Sequence, residues 1–226
     1  MSVKLSMRHL ETFFGFDRAL DISTDRVRGY ISHRQGEKAS NASINRELAA
    51  LKRMFSLGIQ AGNLSSKPYV PMLEENNARQ GVLDHGDFLT LRESLPKYLK
   101  PAITFLYLSG WRVSEMRALE WRDVDFEGKV VRLRPELSKN KDGRVLPLRS
   151  ELLELIEDAR EKRLPQCPFV FHLKAQPIGD FRKAWKGACK QGKLGGLIVH
   201  DLRRTAVRNL VRAGGPGARR HDVKWP

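Results

Sequence analysis

The sequence predicts a mainly α-helical protein with a small antiparallel β-sheet, divided into two domains. Three observations carry that expectation. Apolar residues in the first 65 or so positions recur at helical spacing, and a Pro-, Glu- and Asn-rich stretch then interrupts all periodicity. Beyond it, short helical patterns alternate with two β-forming runs that flank a single tight turn. At 226 residues the chain is long enough for two domains, each with its own core.

The clearest helix runs through SNASINRELAALKRMFSLGIQAGN, where Ile44, Leu48, Leu51, Phe55 and Ile59 mark one buried face. Ser40 and Asn41 supply N-cap chemistry, and Gly62 with Asn63 can close the helix in a left-handed cap. An earlier helix starts at Ser23 or Thr24 and buries Val27, Tyr30 and Ile31. Pro68, Pro71 and the run Glu74, Glu75, Asn76, Asn77 then break the pattern. The expected division is a helical domain over 1–67, a linker at 68–82 and a second domain over 83–226. In the second domain Val124 to Arg134 and Arg144 to Leu148 read as strands of a hairpin whose turn is Lys139 to Gly143. Helical patterns return at about 150–163 and 179–191, separated by a short strand at Phe169 to Phe171. The last helix opens near His200 and ends at Gly214.

Composition narrows the function. Lys and Arg number 41 against 26 Asp and Glu, a net charge of +15 and a pI near 10.2, which points to a polyanionic partner, nucleic acid first. The excess is concentrated: residues 182–226 hold 12 Lys/Arg and 2 Asp/Glu. No basic stretch carries a continuous apolar face, so a membrane-surface role is disfavoured. No apolar run approaches the roughly 18 residues of a spanning helix, and no signal peptide is visible. Cys167 and Cys189 are too few for a disulfide framework and lack metal-ligand spacing. The expectation is a soluble, cytoplasmic protein with no metal and no cofactor.

Three segments could carry chemistry. In SGWRVSEMRALEWRDVDF (109–126), Arg112 sits just before a helix that Ser114 can cap, a place suited to holding a phosphate. In SKNKDGRVLPL (138–148), Lys139 projects from a tight turn and can reach into a groove. In HDLRR (200–204), His200 and Arg203 are three apart on one helix face. Each alone has a plainer reading: an ion-pairing arginine, a solvated turn lysine, a capping histidine with an interfacial arginine.

Taken together, their order and spacing resemble the tyrosine recombinase (phage integrase) signature: its first arginine box, its hairpin lysine box and its H-x-L-R box at His200, Leu202 and Arg203. The resemblance spans about residues 5–214, and the RELAALKRMFSLGIQAG helix is similar to the family's core-binding domain. It implies a helical core-binding (SAM-like) domain followed by a recombinase catalytic domain, with double-stranded DNA, and other recombinase protomers, as partners. It also implies integration or excision of mobile DNA through a 3′-phosphotyrosyl intermediate and a free 5′-hydroxyl. Arg112 and Arg203 would bind the non-bridging oxygens, Lys139 would protonate the leaving 5′-oxygen, and His200 would assist proton transfer. The two domains would clamp the duplex.

The family places its nucleophilic tyrosine after the H-x-L-R helix. Here Tyr30, Tyr69, Tyr98 and Tyr107 all precede Arg112. His221 and Trp225 sit in GGPGARRHDVKWP, which does not resemble the family's G-H or G-W box. The expectation is a C-terminally truncated and catalytically inactive recombinase, its end created by a frameshift after about Gly214. The alternative is a DNA-binding regulator that competes with or assists a full-length recombinase. An RNA-binding role has little support, since neither an RNP-like aromatic strand pattern nor a GXXG clamp in context is found.

Overall fold

The computed structural model describes residues 3–75, 81–138 and 141–212. The chain divides between Arg79 and Gln80 into two compact units.

The first unit is built on helices α1 (Val3–Phe14), α2 (Thr24–Gly36) and α3 (Asn41–Gln60). Ser23 caps α2 by accepting from Arg26 N at 3.2 Å, and Ser40 caps α3 by accepting from Ser43 N at 3.3 Å, so the chain enters each helix where the sequence places a hydroxyl. The buried face of α3 comprises Ile44, Leu48, Leu51 and Phe55, packed with Leu10, Phe14, Val27, Tyr30 and Ile31. Ile59, in the last turn, is only half-buried. After Gly62, whose φ is +74°, the Pro-rich segment turns back along α3. Asn45 donates to Leu73 O and accepts from Leu73 N, both at 2.8 Å, while Val70 joins the core.

A buried polar cluster ties α2 to α3. Glu47 is fully buried; Tyr30 Oη donates to its Oε2 at 2.6 Å, and Arg34 donates through Nε at 3.0 Å and Nη2 at 2.9 Å. Burial, followed by the hydrogen bond to Glu47, pushes the Tyr30 phenol well above its ordinary value. The same carboxylate holds the Arg34 guanidinium charged more firmly than usual.

The second unit surrounds α5 (Lys100–Ser109), in which Ala102, Ile103, Phe105 and Leu106 are at most 1% exposed. Against it pack α4 (His85–Glu93), α7 (Glu151–Glu161) and α9 (His200–Arg212). The short helix α6 (Val113–Arg117) follows α5, and α8 (Arg182–Gln191) precedes α9. A three-stranded antiparallel sheet, β1 (Val124–Asp125), β2 (Val130–Leu133) and β3 (Arg144–Pro147), lies in that order, with Val131 opposite Leu146 and Leu133 opposite Arg144.

Three expectations are corrected. Val124 to Arg134 is not one strand: Asp125 Oδ1 accepts from Gly128 N at 2.8 Å, and this side-chain turn breaks the run into β1 and β2. Phe169 to Phe171 is not a strand either. Phe169 makes an isolated bridge to Glu120 while Val170 and Phe171 bury into the core, and the pairing falls just beyond, between β4 (His172–Leu173) and β5 (Gln176–Pro177). Helix α8 starts at Arg182 rather than 179, because Asp180 accepts the Arg182 backbone N–H at 2.9 Å and fixes a turn ahead of it. Gly214, expected to end the last helix, lies outside the described residues.

Removing one partner of a buried ion pair leaves an uncompensated charge, so Glu47→Ala should destabilise the first unit by about 3–5 kcal/mol. All four tryptophans lie at 111 or beyond. In a urea titration the variant should therefore lose helical circular dichroism early while its tryptophan fluorescence transition stays near that of the wild type. Coincident, unshifted transitions would contradict the assignment.

Candidate phosphate-binding site

The arginine box folds around one carboxylate. Arg112 occupies the N-cap of α6 with an extended backbone, and Glu115, three residues on, reaches back to accept the Arg112 backbone N–H at 2.8 Å. Ser114 is exposed and does not cap the helix, because the glutamate takes that place. The other Glu115 oxygen accepts from Arg112 Nη1 at 2.7 Å, so the ion-pair reading of Arg112 is correct for the structure as it stands. Glu115 has no exposed surface, and Arg144 Nη2, at the start of β3, lies 2.7 Å from its Oε2. Burial opposes ionisation of Glu115, but the hydrogen bonds from the Arg112 backbone and guanidinium and the charge of Arg144 outweigh it and hold the carboxyl below its usual range.

The box is braced from behind. Arg134, at the end of β2, donates to Ala118 O at 3.1 Å and pairs with Glu120 at 3.2 Å and Asp123 at 3.0 Å. The connection from α6 to β1 is thereby fixed to the sheet.

Helix α9 brings the second arginine. Arg203 Nη1 donates at 2.6 Å to the carbonyl of Gly110, the residue that ends α5 in the left-handed region (φ +66°). A side chain at position 110 would be strained there, and its Cβ would lie 3.1 Å from Ala206 Cβ, so glycine lets α9 approach the end of α5. Burial, then the charges of Arg112 and Arg144, lower the pKa of the Arg203 guanidinium. His200 is also depressed, by burial first and then by Arg204, Arg203 and Arg112, with Asp201 opposing. Arg203 and His200 thus feel the charge of Arg112, and two buried carboxylates lie among these cations, Glu115 against Arg112 and Arg144 and Asp201 against Arg204. Lys139 lies outside the described residues; the hairpin ends beside it are joined by Lys141 N donating to Ser138 O at 3.1 Å.

Two participants escaped the reading of the sequence. Glu115 was legible as the acid three residues after an N-cap, but the eye goes to the serine. Arg144 looked like one more polar residue in an alternating strand. Beside the site, the exposed side of α8 carries Arg182, Lys183, Lys186 and Lys190 at helical spacing, opposite the buried Trp185, Ala188 and Cys189. Arg182 is tied to Asp180, whose carboxyl it pulls down to about 2.

Among the described residues, Arg112 and Arg144 share the Glu115 carboxylate while Arg203 and His200 feel the charge of Arg112, an excess of positive charge suited to an oxyanion. A histidine held below 6.5 favours the neutral ring in the fold, so its stabilising contribution is complete above about 6.5 and is lost as pH falls through the folded value. A bound phosphate reverses the balance of charge. His200 in the free chain should therefore titrate below 6.5, and its midpoint should rise on adding duplex DNA, as read from the imidazole resonances of ¹³C-histidine-labelled protein. A midpoint unmoved by DNA would contradict an anion site at this place.

Comparison with known proteins agrees with the fold. Residues 83–218 match the model of the phage integrase family, and residues 1–62 match that of the phage integrase N-terminal SAM-like domain. The ICEBs1 integrase of Bacillus subtilis is 23% identical over 238 residues, covering 92% of this chain and 64% of that protein. The tyrosine recombinase XerC of Actinobacillus pleuropneumoniae is 26% identical over 211 residues, covering 86% of this chain and 67% of its own length. The chain thus spans about two thirds of each. The crystal structure of a lambda integrase(75-356) dimer bound to a COC' core site superposes with a TM-score of 0.73 at 16% identity, covering 95% of this chain and 85% of that one. With 83–218 matched to the phage integrase family model and 1–62 to that of its N-terminal SAM-like domain, the chain belongs to the phage integrase (tyrosine recombinase) family.

Proposed function

We propose that this chain binds duplex DNA and holds one backbone phosphate against Arg112, His200 and Arg203, as a participant in site-specific recombination. What supports the reading is the Arg203 guanidinium donating to the carbonyl of Gly110, two residues before Arg112, which brings the first turn of α9 to the entrance of α6. Family membership and the DNA-bound state of its structural neighbour support the same partner.

In this reading Arg112 and Arg203 contact the non-bridging oxygens and offset the charge that builds on the pentavalent phosphorus. Both are pre-positioned, Arg112 by Glu115 and Arg203 by the Gly110 carbonyl, so little reorganisation accompanies the reaction. A tyrosine oxygen attacks phosphorus, the bond to the 5′-oxygen breaks, and that oxygen takes a proton from Lys139. His200, kept neutral, accepts or relays the proton of the attacking hydroxyl. The basic side of α8 extends the positive surface and is proposed to track the DNA backbone.

None of the four tyrosines is proposed as the nucleophile. Tyr30 donates its hydroxyl to Glu47, and the buried Tyr107 lies with its hydroxyl 3.3 Å from His85 Nδ1 and 3.5 Å from Asn209 Nδ2. With Tyr69 and Tyr98 also upstream of the arginine box, unlike the family's nucleophile, a second reading is binding without cleavage, with strand breakage only when another protomer supplies the tyrosine. A nicked suicide substrate distinguishes the two. The chain alone should form no covalent adduct, and adducts in a mixture with an intact recombinase should map to the partner's tyrosine. An adduct on this chain by itself would overturn the assignment.

DNA affinity should fall roughly 10- to 100-fold in Arg112→Ala and Arg203→Ala, the cost of about 1.5–3 kcal/mol for a charge-assisted hydrogen bond. In Lys186→Ala/Lys190→Ala the slope of log affinity against log salt should shrink by about 0.9 for each DNA phosphate that is no longer neutralised. Fluorescence anisotropy across a salt series measures both. Slopes and affinities equal to the wild type would refute the α8 track and the pocket respectively.

A further inference from the structure

His200 and Arg203 can act together only if α9 is held at one rotation about its axis, and a different side of that helix carries the means. Thr205 is fully buried; its hydroxyl donates to Asp201 O at 2.9 Å and accepts the backbone N–H of Leu83 at 2.9 Å. Arg208 Nη2 donates to the carbonyl of the same Leu83 at 2.7 Å and pairs with Asp84 at 3.1 Å. Asp201, 1% exposed, accepts from Ile198 N at 2.9 Å, and a Cβ built on Gly81 would lie 2.6–2.7 Å from all three of its carboxyl-group atoms. Positions 201, 205 and 208 are four and three residues apart, and so share one side of the helix, whereas 200 and 203 share another. Residues 81–84 therefore run along α9 as a fitted rail: glycine where the carboxylate leaves no room, then both backbone groups of Leu83 taken by α9 side chains.

We infer that residues 81–84 form a strap that sets the rotation of α9, so that Thr205 and Arg208 are positioning residues for His200 and Arg203. The consequence is specific to this chain's order of parts. Gly81 is the first described residue of the second unit, and residues 81–84 are fastened to the helix bearing the proposed phosphate ligands before the chain enters α4. A displacement of residues 81–84 would reach the pocket through Leu83. Misplacement of a reacting group by about 1 Å costs on the order of 100-fold in rate, so a small rotation of α9 is enough to matter.

The inference rests on the reading of the pocket as a phosphate site, and two readouts on the full chain separate them. Thr205→Val keeps the shape of the side chain and loses both hydrogen bonds; Arg208→Gln, at a partly exposed position, loses the ion pair and weakens the hold on Leu83; Arg208→Lys keeps the charge. The first readout is the His200 titration midpoint without added anion. It should shift in Thr205→Val and Arg208→Gln, move back toward the wild type in Arg208→Lys, and be accompanied by only a few degrees' change in melting temperature. The second is inorganic phosphate titrated against the His200 resonance, where those two variants should bind at least fivefold more weakly than the wild type and Arg203→Ala should abolish the response. Wild-type His200 midpoints in both Thr205→Val and Arg208→Gln would overturn the strap whatever phosphate does. A wild-type chain whose His200 ignores phosphate would instead overturn the pocket, with the midpoint shifts still deciding the strap.

Discussion

Glu115 is the interaction on which the site depends. A carboxylate with no exposed surface is costly unless its oxygens are occupied, and here they are filled by the Arg112 backbone, the Arg112 guanidinium and Arg144. That requirement joins two parts of the sequence with no local reason to meet, the entrance of α6 and the first residue of β3. The arginine box, the base of the hairpin and the sheet between them become one body, braced by Arg134. Arg203 arrives on α9 and rests its guanidinium on the Gly110 carbonyl, a neutral acceptor. Its charge adds to those of Arg112 and Arg144, and an incoming phosphate would offset the sum.

The first unit uses the same device for a different end. Glu47, as buried as Glu115, gathers Tyr30 and Arg34 and fixes α2 against α3. No basic cluster of the Arg112 type surrounds it among the described residues, so the pairing closes on itself and serves registry rather than binding. The contrast lies in stoichiometry: Glu47 is paired with one guanidinium, Arg34, whereas Glu115 is shared by two, Arg112 and Arg144.

Much of this was legible in the sequence. The α3 periodicity, the serine caps of α2 and α3 and the choice of Arg112, His200 and Arg203 as candidates followed from spacing and from the resemblance of three ordered boxes. What was not legible depended on contacts across the fold. Val124 to Arg134 mixes β-formers with Asp125, Glu127 and Gly128, and the Asp125 side chain accepting from Gly128 N divides it. Phe169 to Phe171 has strand-like residues that the core uses for burial instead of pairing. Glu115 and Arg144 are ordinary charges until the sheet brings them together, and Thr205 is an unremarked helix residue until Leu83 is placed beside it. Local propensity cannot reveal a partner 122 positions away.

A crystal structure of the chain bound to a short duplex tests most directly whether one DNA phosphate seats between Arg112 and Arg203 beside His200. The account predicts a backbone phosphate within hydrogen-bond reach of both guanidiniums, with Glu115 still holding Arg112 and Arg144. A duplex bound through another face, leaving Arg112 and Arg203 without a phosphate, would contradict it.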